Sequence, residues 1–382
     1  MNKFRFLTAG ESHGKCLTAI IEGIPSGFEI DPDFINEELK RRQSGYGRGE
    51  RMKIECDTVE ITSGVRFGKT LGSPVTLVIQ NKDYENWQKI MSVLPQDAKR
   101  EQAIGEILSF TQNDEKSFSK CRPGHADYAG SVKYNVKDLR NILERSSARK
   151  TAIEVAVGAV AKQILKQFKV EWKSEILQIG NKKSSLDRED VGGLQPSFPN
   201  QGGNFSDEID KAKEAGDTLG GKFKIIYKNL PVGLGSHVHW DRMLDGKIAQ
   251  AVMSVPAVKS ISIGNENAYK MSGSEYHDEM FVENGKIVRK TNNAGGIEGG
   301  MTNGEPLVVT ACMKPIPTLR KPLRTVDLAD MQECEAHFER SDTCAVEACA
   351  VVCEARIACI LLDELLLKFG GDSLQEIFHN FN

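Results

Sequence analysis

The stretch that most restricts how this chain can fold is AIEVAVGAVAKQILKQF, residues 152–168. Its run of Ala, Val, Ile and Leu predicts a long, strongly helical segment that is largely buried. Gly158 in the middle predicts close packing against another element. A chain of 382 residues suggests two domains at ~150 residues each, although α/β and α+β chains of this size also fold as one. Apolar residues make up 40% and charged residues 27%, the balance of a soluble globular protein with ample material for a core. A net charge of −3 provides no global field favouring nucleic acid or an anionic membrane.

The N-terminal MNKFRFLTAGESHG lacks the apolar run of a secretory signal, and no window approaches the ~18 apolar residues of a membrane span. Nine cysteines, an odd number without a C-x-x-C pair, read as reduced thiols of a cytoplasmic protein. Cys344, Cys349, Cys353 and Cys359 have the spacing of small apolar side chains on one helix rather than of metal ligands.

Immediately before the buried helix, residues 121–150 hold His125 behind Gly124, Asp127 two residues on, and a dense group of Arg and Ser. A titratable imidazole beside anion-binding groups on a rigid element is how a site for a phosphorylated acid would be built. The alternative is a helix-capping histidine and a solvated arginine face. A second histidine, His13, follows Ser12 between Gly10 and Gly14, on a turn between expected strands at 4–9 and 16–22.

Asp31 and Pro32 predict a helix start, and the helix should run to about Gln43 with Lys40, Arg41 and Arg42 in its last turn. The glycine-rich basic segment 44–53 reads either as a solvated linker or as a lid clamping an anionic ligand with Arg42 and Arg48. Residues 57–65 and 74–80 predict a strand pair, and 99–109 a short peripheral helix. Further strands are expected at 170–179, 222–230, 258–263 and 306–313, a helix at 206–216, a loop at 181–204, and a tight hairpin at Asn284-Gly285.

His237-x-His239 has no accompanying acid or cysteine cluster, so it reads as structural or substrate-framing rather than metal-binding. Asp241 is expected to cap the helix that follows, and Ser341 or Asp342 the last long helix at 343–369. The glycine-rich 292–304 segment exposes backbone N–H groups to a ligand, but matches neither a dinucleotide-binding nor a Walker pattern. Lys314-Pro-Ile-Pro-Thr318 would hold Lys314 and Thr318 rigidly, as an anion site requires.

Eight segments, GESHGKCLTAIIEGIP, RRQSGYGRGERMKIE, CRPGHADYAG, ERSSARKTAIEVAVGAV, GLGSHVHWDR, NNAGGIEGGMTNGEP, KPIPTL and RSDTCAV, together resemble the chorismate synthase family in the family's order. Thr343 departs from it, standing where the family usually has Pro. The resemblance implies one α+β catalytic domain over residues 1–382, a helical core sandwiched between antiparallel β-sheets, assembled as a homotetramer. It implies a lyase of the shikimate pathway of aromatic amino-acid biosynthesis. That enzyme converts 5-enolpyruvylshikimate 3-phosphate to chorismate by 1,4-elimination of phosphate and a ring proton, and needs reduced FMN without net oxidation.

By the same resemblance His13, His125 and Asp342 are catalytic and Ser12 supports His13. Arg42, Arg48, Arg122 and Arg149 bind substrate anions. Arg145, Ser146, Ser147, Ala257, Gly300, Lys314, Thr318 and Arg340 contact FMN. Reduced flavin is expected from an external flavin reductase, although some relatives use NADPH themselves; no metal, nucleic-acid or membrane partner is implied. An RNA-binding module using 40–53 and a hydride-transferring flavin oxidoreductase are the competing readings. The first would bind single strands in a strongly salt-dependent way; the second would consume one reduced flavin per turnover.

Overall fold

The computed structural model describes residues 3–49, 56–94, 118–184, 205–338 and 341–382. The helix expected at 99–109, the end of the basic segment 44–53, most of the 181–204 loop and Arg340 lie outside these.

Two antiparallel sheets carry the described strands that matter for the site. The first contains β1 (Arg5–Ala9), β2 (Cys16–Glu22), β3 (Val59–Ser63) and β4 (Val75–Gln80) in the order β1-β2-β4-β3. The second contains β5 (Glu171–Ile179), β6 (Gly221–Lys228), β7 (Val258–Ile263) and β8 (Leu307–Met313) in the order β7-β8-β6-β5, with Lys182–Lys183 added at the β5 edge. Register follows alternation. Leu17, Ala19 and Ile21 stand opposite Ile79, Leu77 and Val75, and all six are buried on one face. In the second sheet Phe223, Ile225 and Tyr227 stand opposite Ala311, Val309 and Leu307, again all buried.

Helix α1 (Pro32–Gln43) begins and ends where the sequence predicts. Asp31 Oδ1 accepts the backbone N–H groups of Asp33 (2.9 Å) and Phe34 (3.3 Å), and Lys40, Arg41 and Arg42 fill the last turn. Two short helices, α2 (Asp127–Tyr134) and α3 (Arg140–Ser146), lead into α4 (Thr151–Gln167). Further helices are α5 (Ser206–Glu214), α6 (Leu244–Met253), α7 (Val346–Phe369) and α8 (Leu374–Phe381), besides a single turn at Gly273–Tyr276.

α4 and α7 are buried on every side over most of their length, so each must be covered all round. They pack on one another. α4 also meets α1 and strands β1, β2 and β4, while α7 meets α1, α6, α8 and strands β5 and β6. The α4–α7 approach depends on Gly158: a Cβ there would lie 2.4 Å from Ala355 Cβ and 2.7 Å from the Ala355 carbonyl oxygen. Gly158→Ala should therefore destabilise the fold by up to ~2 kcal/mol net, seen as a lower urea midpoint. Overpacking costs of about 1–3 kcal/mol outweigh the ~1 kcal/mol helix-propensity gain of Ala over Gly. An unchanged or raised midpoint would contradict this close approach.

Buried charges join the same helices. Lys162 on α4 is fully buried; its Nζ donates to Glu38 Oε2 of α1 (2.5 Å) and to Glu354 Oε1 of α7. Arg41 Nη1 donates to Glu38 Oε1 (2.6 Å) and Glu354 Oε1 (2.8 Å), giving two cations and two anions. The Tyr227 hydroxyl donates to the Glu354 carbonyl (2.7 Å).

Two expected caps are not formed. Asp241 lies in a 3-10 turn, Trp240–Arg242, with its carboxylate on His239 Nδ1 (2.6 Å), and α6 starts beyond it without a side-chain cap. α7 starts at Val346 rather than 343. Asp342 instead accepts the Gly49 N–H (2.6 Å), and Ser341 Oγ donates to the Thr318 carbonyl (2.9 Å). A short polar side chain ahead of a helix bonds whichever polar group the chain brings closest, and here a neighbouring ring and loop backbone win over the helix ends. The Asn284-Gly285 hairpin forms as expected, both residues at positive φ (51° and 75°) between Met280–Glu283 and Lys286–Arg289.

Candidate active site

His13 leaves β1 on the turn before β2 and is nearly buried. Its backbone N–H donates to Glu144 Oε2 (2.8 Å) and its ring Nδ1 lies 2.8 Å from Glu144 Oε1. Trp87 stacks on the imidazole with ring centres 3.8 Å apart. Burial alone would raise the Glu144 carboxyl; the hydrogen bonds and charge of His13 and the charge of Arg140 outweigh it and hold the group below its usual range. The His13 ring therefore faces a carboxylate, an acceptor for a hydrogen on Nδ1. Ser12 supports the turn: its N–H donates to the Glu144 carbonyl (2.8 Å) and its Oγ to Ser147 Oγ (3.1 Å).

His125 repeats the pattern from a different loop. Gly124 takes a φ of +81°, which a side chain would strain, and delivers His125 to the start of α2. His125 Nδ1 bonds Asp127 Oδ1, and Arg122 Nη2 lies 3.1 Å from the same nitrogen. Asp127 is fully buried. It also accepts from the Arg122 backbone N–H (3.0 Å), Nε (2.8 Å) and Nη2 (2.9 Å). Burial opposes its charge, but His125 and Arg122 hold the carboxyl well below its usual range.

Arg42 and Arg149 share Asp57. Arg149 Nη1 donates to Asp57 Oδ2 (2.6 Å), and Arg42 Nη1 lies 3.7 Å from the same oxygen. The Arg42 guanidinium is otherwise fixed by Thr151 Oγ1 (2.9 Å) and the Ala148 carbonyl (3.0 Å). Its Nη1 is buried and makes no hydrogen bond among the described residues. Burial first, and then neighbouring Arg48 and Arg149, bring Arg42 down to about 10 against the pull of Asp57 and Asp342. Arg48 Nη1 in turn lies 3.2 Å from Asp342 Oδ2.

These groups close a circuit. Ser12 touches Ser147, whose Oγ accepts the Arg149 N–H (3.3 Å). Arg149 leads to Arg42, Arg48 and Asp342. Ser341 bonds Thr318, and Lys314, four residues before it, donates from Nζ to the Gly124 carbonyl beside His125. Arg122 and Arg140 both lie 5.3 Å from the Phe118 ring, and Arg140 Nη1 returns to Glu144 Oε1 (3.3 Å). Of the described residues expected at the site, Ser12, His13, Arg42, Arg48, Arg122, His125, Ser147, Arg149, Lys314, Thr318 and Asp342 are thus brought together.

The others have local duties. The Arg145 guanidinium is committed to β1 and its turn, donating to the carbonyls of Gly10 (2.9 Å) and Thr8 (2.8 Å). Ser146 Oγ bonds the Ile142 carbonyl (2.7 Å). Gly300, at φ +76°, admits the close approach of the Ser236 carbonyl oxygen and the Met243 side chain. Ala257 holds the unusual φ of +70° for a non-glycine and accepts the Lys314 N–H (2.9 Å), so the two adjoin. His237 and His239 are exposed. No cluster of three metal-binding side chains occurs among the described residues.

Sequence reasoning did not single out Glu144, Arg140, Asp57 and Trp87. Glu144 and Arg140 sit on a short helix where surface charge is the ordinary expectation, and Asp57 and Trp87 meet their partners only in the fold. The one available signal was position: Glu144 stands inside ERSSARK, among residues already suspected.

Two imidazoles, each held at Nδ1 by a buried carboxylate that also meets an arginine, are the groups of an acid/base enzyme. The sequence profile of the chorismate synthase family matches residues 4–366. A chorismate synthase of Thermoanaerobacter pseudethanolicus is 50% identical over 380 residues, covering 99% of this chain and 97% of its own. One from Aquifex aeolicus is 48% identical over 396 aligned positions, covering 99% and 96%. A solved structure titled "Crystal Structure of Chorismate Synthase" superposes with a TM-score of 0.75 at 40% identity, covering 99% of this chain and 96% of that one. The chain belongs to the chorismate synthase family.

Proposed function

We propose that the chain carries out the family's reaction, conversion of 5-enolpyruvylshikimate 3-phosphate to chorismate and phosphate, at the circuit just described. The observation that carries this reading is the pair of carboxylate-held histidines, each carboxylate also meeting an arginine. The substrate bears two carboxylates and a phosphate. Arg42, Arg48, Arg122 and Arg149 supply charge for them, and the buried Arg42 Nη1 is a donor awaiting an acceptor.

In the elimination, the C–O bond to phosphate and one ring C–H bond break, and the electrons of the latter complete the new ring double bond. With Nδ1 on Glu144, His13 has Nε2 to pass a proton to the departing phosphate oxygen. Asp342, which accepts the Gly49 N–H and pairs with Arg48, takes part in moving the ring proton on this reading. Ser12 braces the His13 turn.

The residues also fit reduced FMN. Lys314 has no carboxylate partner among the described residues and offers its ammonium to a phosphate, with Thr318 four residues on, its carbonyl held by Ser341, and Ser147 as a further expected contact. Arg145, Ser146, Ala257, Gly300 and Arg340 complete the expected flavin contacts, Arg145 doing so only by leaving its backbone partners. When bound, the flavin supplies reversible electron density that eases phosphate loss without net oxidation. His125, its Nδ1 on Asp127, stabilises negative charge nearby.

The described chain further reads as one domain, a helical core between two antiparallel sheets, working in the cytoplasm as a homotetramer with reduced flavin supplied by an external reductase or by NADPH. No described helix is long and apolar enough to cross a membrane.

The direct test is an anaerobic assay with 5-enolpyruvylshikimate 3-phosphate and dithionite-reduced FMN. Release of phosphate and chorismate is expected, and folded protein giving neither would overturn the reading. Arg48→Ala should raise the apparent KM for substrate about tenfold or more with a smaller effect on kcat, as loss of one charge-assisted contact predicts. An unchanged KM would remove Arg48 from substrate binding.

A further inference from the structure

Glu144 has an arrangement that structural support alone does not require. Its two oxygens divide between the backbone N–H and the ring Nδ1 of one residue, His13, which lies 131 positions away. Its side chain is nearly buried, and its charge is met by Arg140, which also lies 5.2 Å from the Trp87 ring. Trp87 stacks on His13, and its Nε1 donates to Asp83 (3.0 Å), tying the stack to the segment after β4. The imidazole is therefore fixed in rotation by Glu144 and in tilt by Trp87.

Resting on the reading of His13 as a proton donor, we propose that Glu144 is a positioning residue for the reaction. It selects the His13 tautomer protonated at Nδ1, directs Nε2 to the reacting phosphate oxygen, and stabilises the imidazolium before the proton is given up. Arg140 holds Glu144 in place. The local partner of this device is Asp127, two residues from His125; for His13 the carboxylate comes from α3 and only the fold brings it there. Burial works against the Glu144 charge, but the hydrogen bonds and charge of His13 and the charge of Arg140 hold its carboxyl below the usual range, so it stays ionised at neutral pH.

Glu144→Gln keeps shape and an acceptor for the backbone N–H, but its amide can donate to Nδ1 and so favours the opposite tautomer. In the enzyme assayed with reduced FMN, this variant should lose roughly 10²–10³ in kcat while KM for substrate changes less than about threefold. The basic limb of its kcat–pH profile should also shift to lower pH, because the imidazolium has lost its counter-charge. Nitrogen-15 NMR, with His13 assigned by difference against His13→Asn, should show Nδ1–H in the wild type and Nε2–H in Glu144→Gln.

A kcat for Glu144→Gln within threefold of wild type, alongside an inactive His13→Ala, would overturn the positioning role and leave the His13 reading intact. Near-normal His13→Ala would overturn both. Should Glu144→Gln not fold, the wild-type spectrum decides alone: a neutral His13 protonated at Nε2 contradicts the proposal.

Discussion

Replacing either His13 or His125 by alanine should lower turnover by about 10²–10⁴, the range for losing a general acid or base, without unfolding the chain. The fold tolerates each loss because the carboxylate left behind keeps a cation. Asp127 retains its bonds to Arg122 Nε and Nη2 and the Arg122 backbone N–H, and Glu144 retains Arg140. The two substitutions should differ in kind. On the proposed reading His13→Ala removes a proton donor for the leaving phosphate, so activity should partly return with a more acidic leaving group or added imidazole. On the proposed reading His125→Ala removes charge stabilisation for the flavin and should be less responsive to imidazole. Circular dichroism and melting curves close to wild type, together with the kinetic loss, are the expected result. Turnover within threefold of wild type in both would take the histidines out of the chemistry.

The largest stability effect is expected far from the site. Lys162→Met removes one of two cations from a buried group of four charges and leaves Glu38 and Glu354 sharing Arg41 alone. Breaking a buried pair by deleting one partner costs about 3–5 kcal/mol, a large part of the ~5–15 kcal/mol by which proteins are stable. The pH dependence distinguishes this from simple loss of packing. Burial would raise the Glu354 carboxyl, but Lys162 and Arg41 hold it well below the usual range. A carboxyl lowered on folding contributes stability above its unfolded pKa and loses it as pH falls through the folded value, so the wild type should be insensitive to this group between pH 5 and 8. Without Lys162, burial dominates and one carboxyl rises. The folded variant then takes up a proton before the unfolded chain does, and its deficit should shrink as pH falls from 8 to 5. Urea midpoints at both pH values measure it; an equal deficit at both, or one below about 1 kcal/mol, would contradict the network's importance.

These two predictions mark what the sequence could and could not reveal. Helix α1 was legible to the residue because Asp31, Pro32 and the Lys40–Arg42 run act within one turn of their own positions. The Asn284-Gly285 hairpin and the Gly158 contact were legible for the same reason: the residue type states its own backbone requirement. Asp241 and Asp342 misled because an acid ahead of a helix has competing uses, and the competitors, His239 and Gly49, are chosen by loop geometry. Lys162 was illegible, since a lysine in KQILKQF reads as a polar position while its partners lie 124 and 192 residues away. The site divides along the same line. The Gly124-His125-Asp127 unit is local and was visible as a unit. The Glu144 partner of His13 and the Asp57 shared by Arg42 and Arg149 exist only after the sheets and helices have assembled.

The central claim is that this circuit of cations and carboxylate-held histidines eliminates phosphate with a reduced flavin that is not consumed. Its most direct measurement is the number of chorismate molecules formed anaerobically per reduced FMN, with the flavin spectrum followed throughout. The account predicts many products per flavin, with phosphate and chorismate released in equal amounts and the flavin still reduced when substrate runs out. One flavin oxidised for each product would contradict it and indicate hydride transfer to substrate instead.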